Sequence, residues 1–223
     1  MINTYTTADI KNMFLAKHMI EDYVIDKTGA KTIELIGANF IADAPAIYGT
    51  PNVEYIKAEL AWYESQSTNV KDLYPGRDVP QAWQYTADAH GNINSNYGKL
   101  IYSTEFHNQF LNVFAELSAN PDSRRATMVY TRPSIWNEYN TNGKSDFICT
   151  NAVGYLIRNG VLHVTVQMRS NDIVFGYKND YAWQLYVAEQ LKQHLALPLT
   201  DIKIHWQVQS LHMYERHFNL LTS

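Results

Sequence analysis

Cysteine is almost missing from this chain: Cys149 is the only one in 223 residues. One thiol by itself forms neither an intrachain disulfide nor a cysteine-based zinc site. Long apolar runs are missing as well, and none approaches the roughly 20 residues that span a bilayer. The opening MINTYTTADIKNMF lacks the basic-then-apolar layout of a signal peptide. Positive charge is scarce, with 18 Lys and Arg against 22 Asp and Glu and a net charge of −4. That balance argues against a broad nucleic-acid footprint. The eight histidines contain no HExxH spacing, so a metal site is not expected. Asn142-Gly143-Lys144-Ser145 imitates the tail of a phosphate-binding P-loop, but Glu138 stands where that motif requires glycine. These absences point to an intracellular, globular protein without a metal.

What is present suits one folded domain, or at most a core with an appendage: hydrophobic residues make up 46% and charged residues only 18%. The spacing of Ile10, Met13, Phe14 and Ile20 predicts a helix over residues 7–20. Tyr23-Val24-Ile25 and Thr32 to Ile36 read as strands joined through Lys27-Thr28-Gly29-Ala30, where Lys27 and Lys31 are either a solvated tip or an anion clamp. A second helix runs from Val53 to about Ser65, with Val53, Ile56, Leu60 and Tyr63 as its apolar stripe. Glu59 then lies about 60° from the middle of that stripe, flanking the buried face. It is either a helix-edge charge or an acid/base group with a raised pKa. Residues 70–98 form a long irregular segment. Phe106, Phe110, Val113, Phe114 and Leu117 mark a helix that stops at Asn120-Pro121, and a strand over Ala126 to Thr131 follows.

Asn159-Gly160 between two β-rich runs is a two-residue hairpin turn, which fixes the register of its strands. One face then carries Val153, Tyr155 and Ile157 against Leu162, Val164 and Val166. The far end of that face holds Cys149 and Asn151 with Met168 and Ser170 opposite, and Arg169 falls nominally on the other face. Cys149 is thus either a small buried hydrophobe or a thiol activated by a nearby cation. A further helix is expected over residues 181–193, a strand from Ile202 to Val208, and a helical turn from Tyr214 to Leu221. The order of elements is α+β, a mostly continuous sheet covered by helices.

Several short blocks, in one order, resemble the thymidylate synthase superfamily, and within it the deoxycytidylate hydroxymethylase branch of T-even-type bacteriophages. They include DKTG (26–29), KTIELIGANF (31–40), NINSNYG (92–98), NPDSRR (120–125), YTRPS (130–134), SDFICTN (145–151), RSNDIVFGYKNDYAWQ (169–184) and SLHMYERHF (210–218). The resemblance implies a thymidylate synthase-like fold over residues 1–223, with a large mixed sheet that mediates a homodimer. It implies transfer of a one-carbon unit from 5,10-methylenetetrahydrofolate to C5 of a pyrimidine nucleotide, in the cytoplasm (the host's, if phage-encoded).

On that resemblance Cys149 is the nucleophile that adds to C6, and Glu59 handles protons and orders water near the ring. Arg169 and Ser170, with Lys27, resemble the phosphate grip, and Asn171 beside them counts as substrate-binding. Arg124 and Arg125 resemble the pair that reaches the partner subunit's site. His212 and Tyr214 match the pair that bonds the sugar 3′-hydroxyl, and Tyr97 the active-site tyrosine. Ser95 and Asn96 fall in the loop beside Tyr97. Trp83 and Asp172 resemble positions on the folate side. Asp180 stands where thymidylate synthases place asparagine. A carboxylate accepts from cytosine N4 and, when protonated, donates to N3, so Asp180 points to a cytidine nucleotide. Capping a helix that begins near Tyr181 is a second use for it.

Two departures bear on these roles. Ile148-Cys149-Thr150 replaces the Pro-Cys-His of thymidylate synthases, which agrees with the hydroxymethylase branch. Arg169 requires a β-bulge near residues 149–151 or 167–170 to reach the thiol's face. The rival readings are a hydroxymethylase acting on CMP, a dUMP-specific methylase or hydroxymethylase, and a catalytically silent nucleotide- or RNA-binding member.

Overall fold

Asn159 and Gly160 take φ of 52° and 76°, the doubly positive geometry of a type I′ turn, and they join the two strands at the centre of the fold. The computed structural model describes residues 4–25 and 29–222. Its strands are β1 (Tyr5–Thr6), β2 (Val24–Ile25), β3 (Lys31–Ile41), β4 (Thr127–Val129), β5 (Thr150–Arg158), β6 (Val161–Asp172) and β7 (Asp201–Tyr214). The helices are α1 (Thr7–Met19), α2 (Val53–Ser65), α3 (Gln81–Thr86), α4 (Tyr97–Tyr102), α5 (Gln109–Ala119), α6 (Ile135–Glu138) and α7 (Gly176–His194). The chain divides into two compact units, residues 1–51 with 155–223, and residues 52–154.

In the first unit the strand order is β1-β3-β7-β6-β5, with β2 also on β3. β3 runs antiparallel to β7, whereas β6 and β7 are parallel, so the sheet is mixed. Parallel neighbours need a crossover, and α7 supplies it. Val153, Tyr155, Ile157, Leu162, Val164 and Val166 are all buried, as the hairpin register requires. At the N-terminus Thr6 and Asp9 form a reciprocal capping box, so α1 starts at Thr7 and buries Ile10 and Phe14. Ile20, assigned to that helix from its spacing, lies just past its end and is exposed. No described helix is long and apolar enough to cross a membrane.

In the second unit α2, α4 and α5 pack in succession, and α5 packs on β4. Gly98 makes this packing feasible: a Cβ there would stand 1.8 Å from the Tyr63 carbonyl oxygen. β4 pairs antiparallel with the start of β5 through Met128 and Val153.

Several boundaries differ from the sequence reading. α7 begins five residues earlier than expected, because Asp172 rather than Asp180 organises its start. β7 runs on to Tyr214, pairing with β3 as far as Thr32, so His212 and Tyr214 project from a strand.

Candidate active site

Glu59 is held by α2, whose N-cap Asn52 side chain accepts from the Tyr55 amide. The helix buries Glu59, Trp62 and Tyr63, while Val53 is 60% exposed. The expected stripe was therefore rotated. The two aromatic rings, not the aliphatic residues, set the buried face, and Glu59 projects between them. At 5% exposure it is no helix-edge charge. The Tyr55 hydroxyl donates to Glu59 Oε1 at 2.7 Å, and Trp83 Nε1–H donates to the Tyr55 oxygen at 2.9 Å. Tyr55, one turn before Glu59, was passed over in the sequence; its spacing of four from a carboxylate was the available signal.

Burial pushes the Glu59 carboxyl up to about 7, against the hydrogen bond from Tyr55, which favours the ionised form. Near neutrality such a group gives and takes protons with equal ease. The same burial has a stability consequence. Because the folded-state value lies above the ordinary carboxyl value of 4.5, Glu59's contribution to stability is complete below about pH 4.5 and is lost as the pH rises through 7. Ionising it inside the fold costs on the order of 3 kcal/mol. Glu59→Gln is therefore expected to gain stability over the parent protein at pH 8 and to lose that advantage at pH 5. Denaturant unfolding at the two pH values measures the difference.

Asp146, buried, ties the segment before α4 in place. It accepts from the Asn94 amide at 2.5 Å, the Ser95 amide at 2.8 Å and the Ser95 hydroxyl at 2.5 Å. Asn96 donates to the Trp62 and Ser67 carbonyls and caps α4. Ser95 and Asn96 are thus structural fasteners. Tyr97 is buried as well: its ring stacks on Tyr63 at 5.4 Å, and its oxygen accepts from the Thr150 hydroxyl at 3.0 Å. Cys149 lies just before β5, between Ile148 and Thr150, both fully buried. Of the three, only Cys149 is partly exposed, with its Sγ 3.9 Å from the Phe147 carbonyl oxygen. Two buried anchors thus hold a half-buried cysteine at the start of the strand.

Within this unit the Tyr130 and Thr131 amides both donate to the Asn151 carbonyl, at 2.9 and 3.2 Å, the signature of a β-bulge. Its extra residue lies at Tyr130–Thr131, on the strand that faces Asn151, so it is not the bulge expected between Cys149 and Arg169. β6 keeps one offset to β7 from Val161 to Asp172, but Arg169 and Gln209 drop out of the ladder, so the pairing is locally interrupted within 167–170. Arg124 and Arg125 are exposed on the segment between α5 and β4. Arg125 Nε donates to Glu116 Oε1 at 2.9 Å with its own side chain 78% exposed, an ion pair weak enough to exchange for another anion.

In the first unit, Arg169, Ser170, Asn171 and Asp172 end β6, and Asp180 lies one turn inside α7. Asp180 is not the helix cap it could have been, since Phe175 holds that position. Asp172 Oδ1 instead accepts from the Val174 and Phe175 amides, at 2.6 and 3.1 Å, and folds the chain into α7. Its Oδ2 stands 4.0 Å from Arg216. Asn171 Nδ2 donates to Asp180 Oδ2 at 2.7 Å. Arg169 and Ser170 are half-buried, and Ser170 pairs with Ser210. His212 and Tyr214 meet ring to edge at 5.0 Å on β7. Lys27 lies outside the described residues.

Asp172 Oδ2 keeps acceptor capacity for the N–H groups of a pterin, and Trp83 presents a half-buried ring for stacking. No described group of three His, Cys, Asp or Glu side chains could hold a metal.

A mixed sheet with covering helices is an α+β fold, and its second unit carries a partly exposed thiol and a buried glutamate. The thymidylate synthase family model matches residues 11–223, and the chain belongs to that family. It is 53% identical over 206 residues to the deoxycytidylate 5-hydroxymethyltransferase of Enterobacteria phage T6, covering 90% of this chain and 83% of that protein. The enzyme of the same name from Enterobacteria phage T4 is 52% identical over the same shares. A thymidylate synthase from Buchnera aphidicola subsp. Acyrthosiphon pisum (strain Tuc7) is 27% identical over 87% of this chain and 74% of its own.

Proposed function

We propose that this protein is a deoxycytidylate 5-hydroxymethyltransferase, making 5-hydroxymethyl-dCMP for phage DNA from dCMP and 5,10-methylenetetrahydrofolate. The observation that carries the choice of base is Asp180, a carboxylate held inside α7 by Asn171 and not spent on capping. Cytosine offers an N4 donor beside the N3 acceptor, and a carboxyl group answers both where an amide answers uracil.

In this mechanism the Cys149 thiolate adds to C6, which places carbanion character on C5. The folate supplies a one-carbon unit at the oxidation level of formaldehyde. C5 bonds to that carbon and then loses its proton as the bond from the carbon to the folate nitrogen breaks, so that tetrahydrofolate leaves and an exocyclic methylene remains on the ring. Water adds to the methylene while the Cys149 sulfur departs from C6, restoring the aromatic ring. Glu59, poised near neutrality, orders the water and moves its proton. Tyr55 keeps Glu59 oriented through its hydrogen bond. Arg169, Ser170 and Lys27 hold the phosphate, His212 and Tyr214 the 3′-hydroxyl, and Tyr97 stands beside the sugar and base; Trp83 and Asp172 serve the folate.

The working unit in this reading is a cytoplasmic homodimer formed through the sheet, with Arg124 and Arg125 reaching the partner's nucleotide phosphate. Arg125→Ala is expected to weaken dCMP binding about tenfold with unfolding unchanged, as equilibrium binding and a thermal melt would report. Unchanged affinity would confine this arginine to its pair with Glu116. The reaction itself is tested by tritium release from dCMP labelled at C5. Release that requires methylenetetrahydrofolate supports the proposal, and retention of the label contradicts it.

A further inference from the structure

Lys178, on the first turn of α7, has no part in the mechanism above and is only 7% exposed. Its ammonium carries three N–H donors, and one of them meets an acceptor: Nζ donates to the Thr50 carbonyl at 3.2 Å. Nζ also lies 5.3 Å from the centre of the Phe175 ring, a cation–π contact. Among the described residues no carboxylate stands within ion-pair distance of it. Burial pushes the Lys178 ammonium below the ordinary lysine value, and the more distant Asp172 carboxylate acts against that shift. A buried charge held by one carbonyl and one ring costs stability. Methionine would pack the same stem without that cost, so the charge calls for an anion that arrives with a ligand.

The ammonium end is within reach of one. Gly49 and Thr50 are both exposed, and a Cβ on Gly49 would stand 3.2 Å from Nζ. Phe175 is 55% exposed. The stem is thus buried while its head ends beside exposed chain, and glycine at 49 keeps the space next to the head open.

We propose that Lys178 binds a carboxylate of the glutamyl tail of methylenetetrahydrofolate, while Asp172 serves the pterin. This rests on the reading of Asp172 as a folate residue. The anion follows from what the two substrates carry. The dCMP phosphate already has Arg169, Ser170 and Lys27, whereas the tail carboxylates have no cation assigned to them. The chain order suits the ligand as well. Asp172 folds the chain into α7, Phe175 holds the cap position, and Lys178 follows three residues on. The exposed Phe175 ring offers an apolar face to the aminobenzoyl group that joins pterin to tail.

The test is equilibrium binding of tetrahydrofolate, and of tetrahydropteroate, which lacks the glutamyl tail, to the full chain with dCMP bound. Neither pterin carries the one-carbon unit, so turnover does not interfere. The parent protein is expected to bind tetrahydrofolate about tenfold more tightly than tetrahydropteroate. Lys178→Met is expected to abolish that difference, with its affinity for tetrahydropteroate and for dCMP unchanged. Its unliganded melting temperature should equal or exceed the parent's, since a buried charge has been removed. Equal weakening of both pterins would make Lys178 a support of the fold, and weakened dCMP alone would assign it to the nucleotide phosphate; either overturns the inference. Lys178→Gln reads the same difference should the methionine variant fold poorly, and equal affinities in the parent overturn the inference without any variant. Failure of tetrahydrofolate to bind would remove the folate reading and this inference with it. A tail preference that survives both substitutions would remove Lys178 alone.

Discussion

Cys149→Ser is expected to lower turnover of dCMP by about a thousandfold or more while nucleotide affinity stays within about threefold of the parent protein. The sulfur's neighbours place it: Ile148 and Thr150 are fully buried and hold the strand end on either side. A serine hydroxyl occupies the same place without disturbing either anchor. What changes is reactivity, because a hydroxyl is far less ionised than a thiol at neutral pH and adds poorly to C6. A thermal melt and a dCMP binding isotherm on the variant separate loss of chemistry from loss of fold. Normal turnover by Cys149→Ser would make the thiol a packing residue and remove the covalent step.

Asp180→Asn carries the second large effect. It is expected to lower kcat/KM for dCMP by roughly a hundredfold and to raise that for dUMP, inverting the preference. An amide held with its NH2 toward O4 and its oxygen toward N3–H serves uracil, and in that orientation it meets cytosine donor against donor and acceptor against acceptor. Competition of the two nucleotides, each measured with methylenetetrahydrofolate, gives the ratio directly. Selectivity that survives the substitution would take base recognition away from Asp180.

The sequence and the structure agree where local signals were strong. Asn159-Gly160 fixed a hairpin because both residues tolerate positive φ, and the alternation on either side admitted one register. Asn120-Pro121 ended α5 for an equally local reason. The misjudged features depended on tertiary context. The buried face of α2 is set by Trp62 and Tyr63 packing within the second unit, so an aliphatic stripe misplaced Glu59 by part of a turn. The start of α7 depends on Asp172 accepting two amides, which shifted Asp180 from a helix cap to the helix interior. A bulge was expected between Cys149 and Arg169 from the chemistry demanded of that arginine, whereas the bulge at Asn151 belongs to the pairing with β4, which no local pattern reveals. Family blocks marked Cys149, Glu59 and Asp180 by type and order. The groups that hydrogen-bond two of them, Tyr55 to Glu59 and Asn171 to Asp180, became legible as partners only through distances.

The central claim is that this chain adds a hydroxymethyl group to C5 of dCMP. The mass of the nucleotide product after incubation with dCMP and methylenetetrahydrofolate tests it most directly. The account predicts a product heavier by one CH2O unit, formed together with tetrahydrofolate and absent with Cys149→Ser. A product heavier by CH2 with dihydrofolate released, or a folate-dependent product from dUMP and none from dCMP, would contradict it.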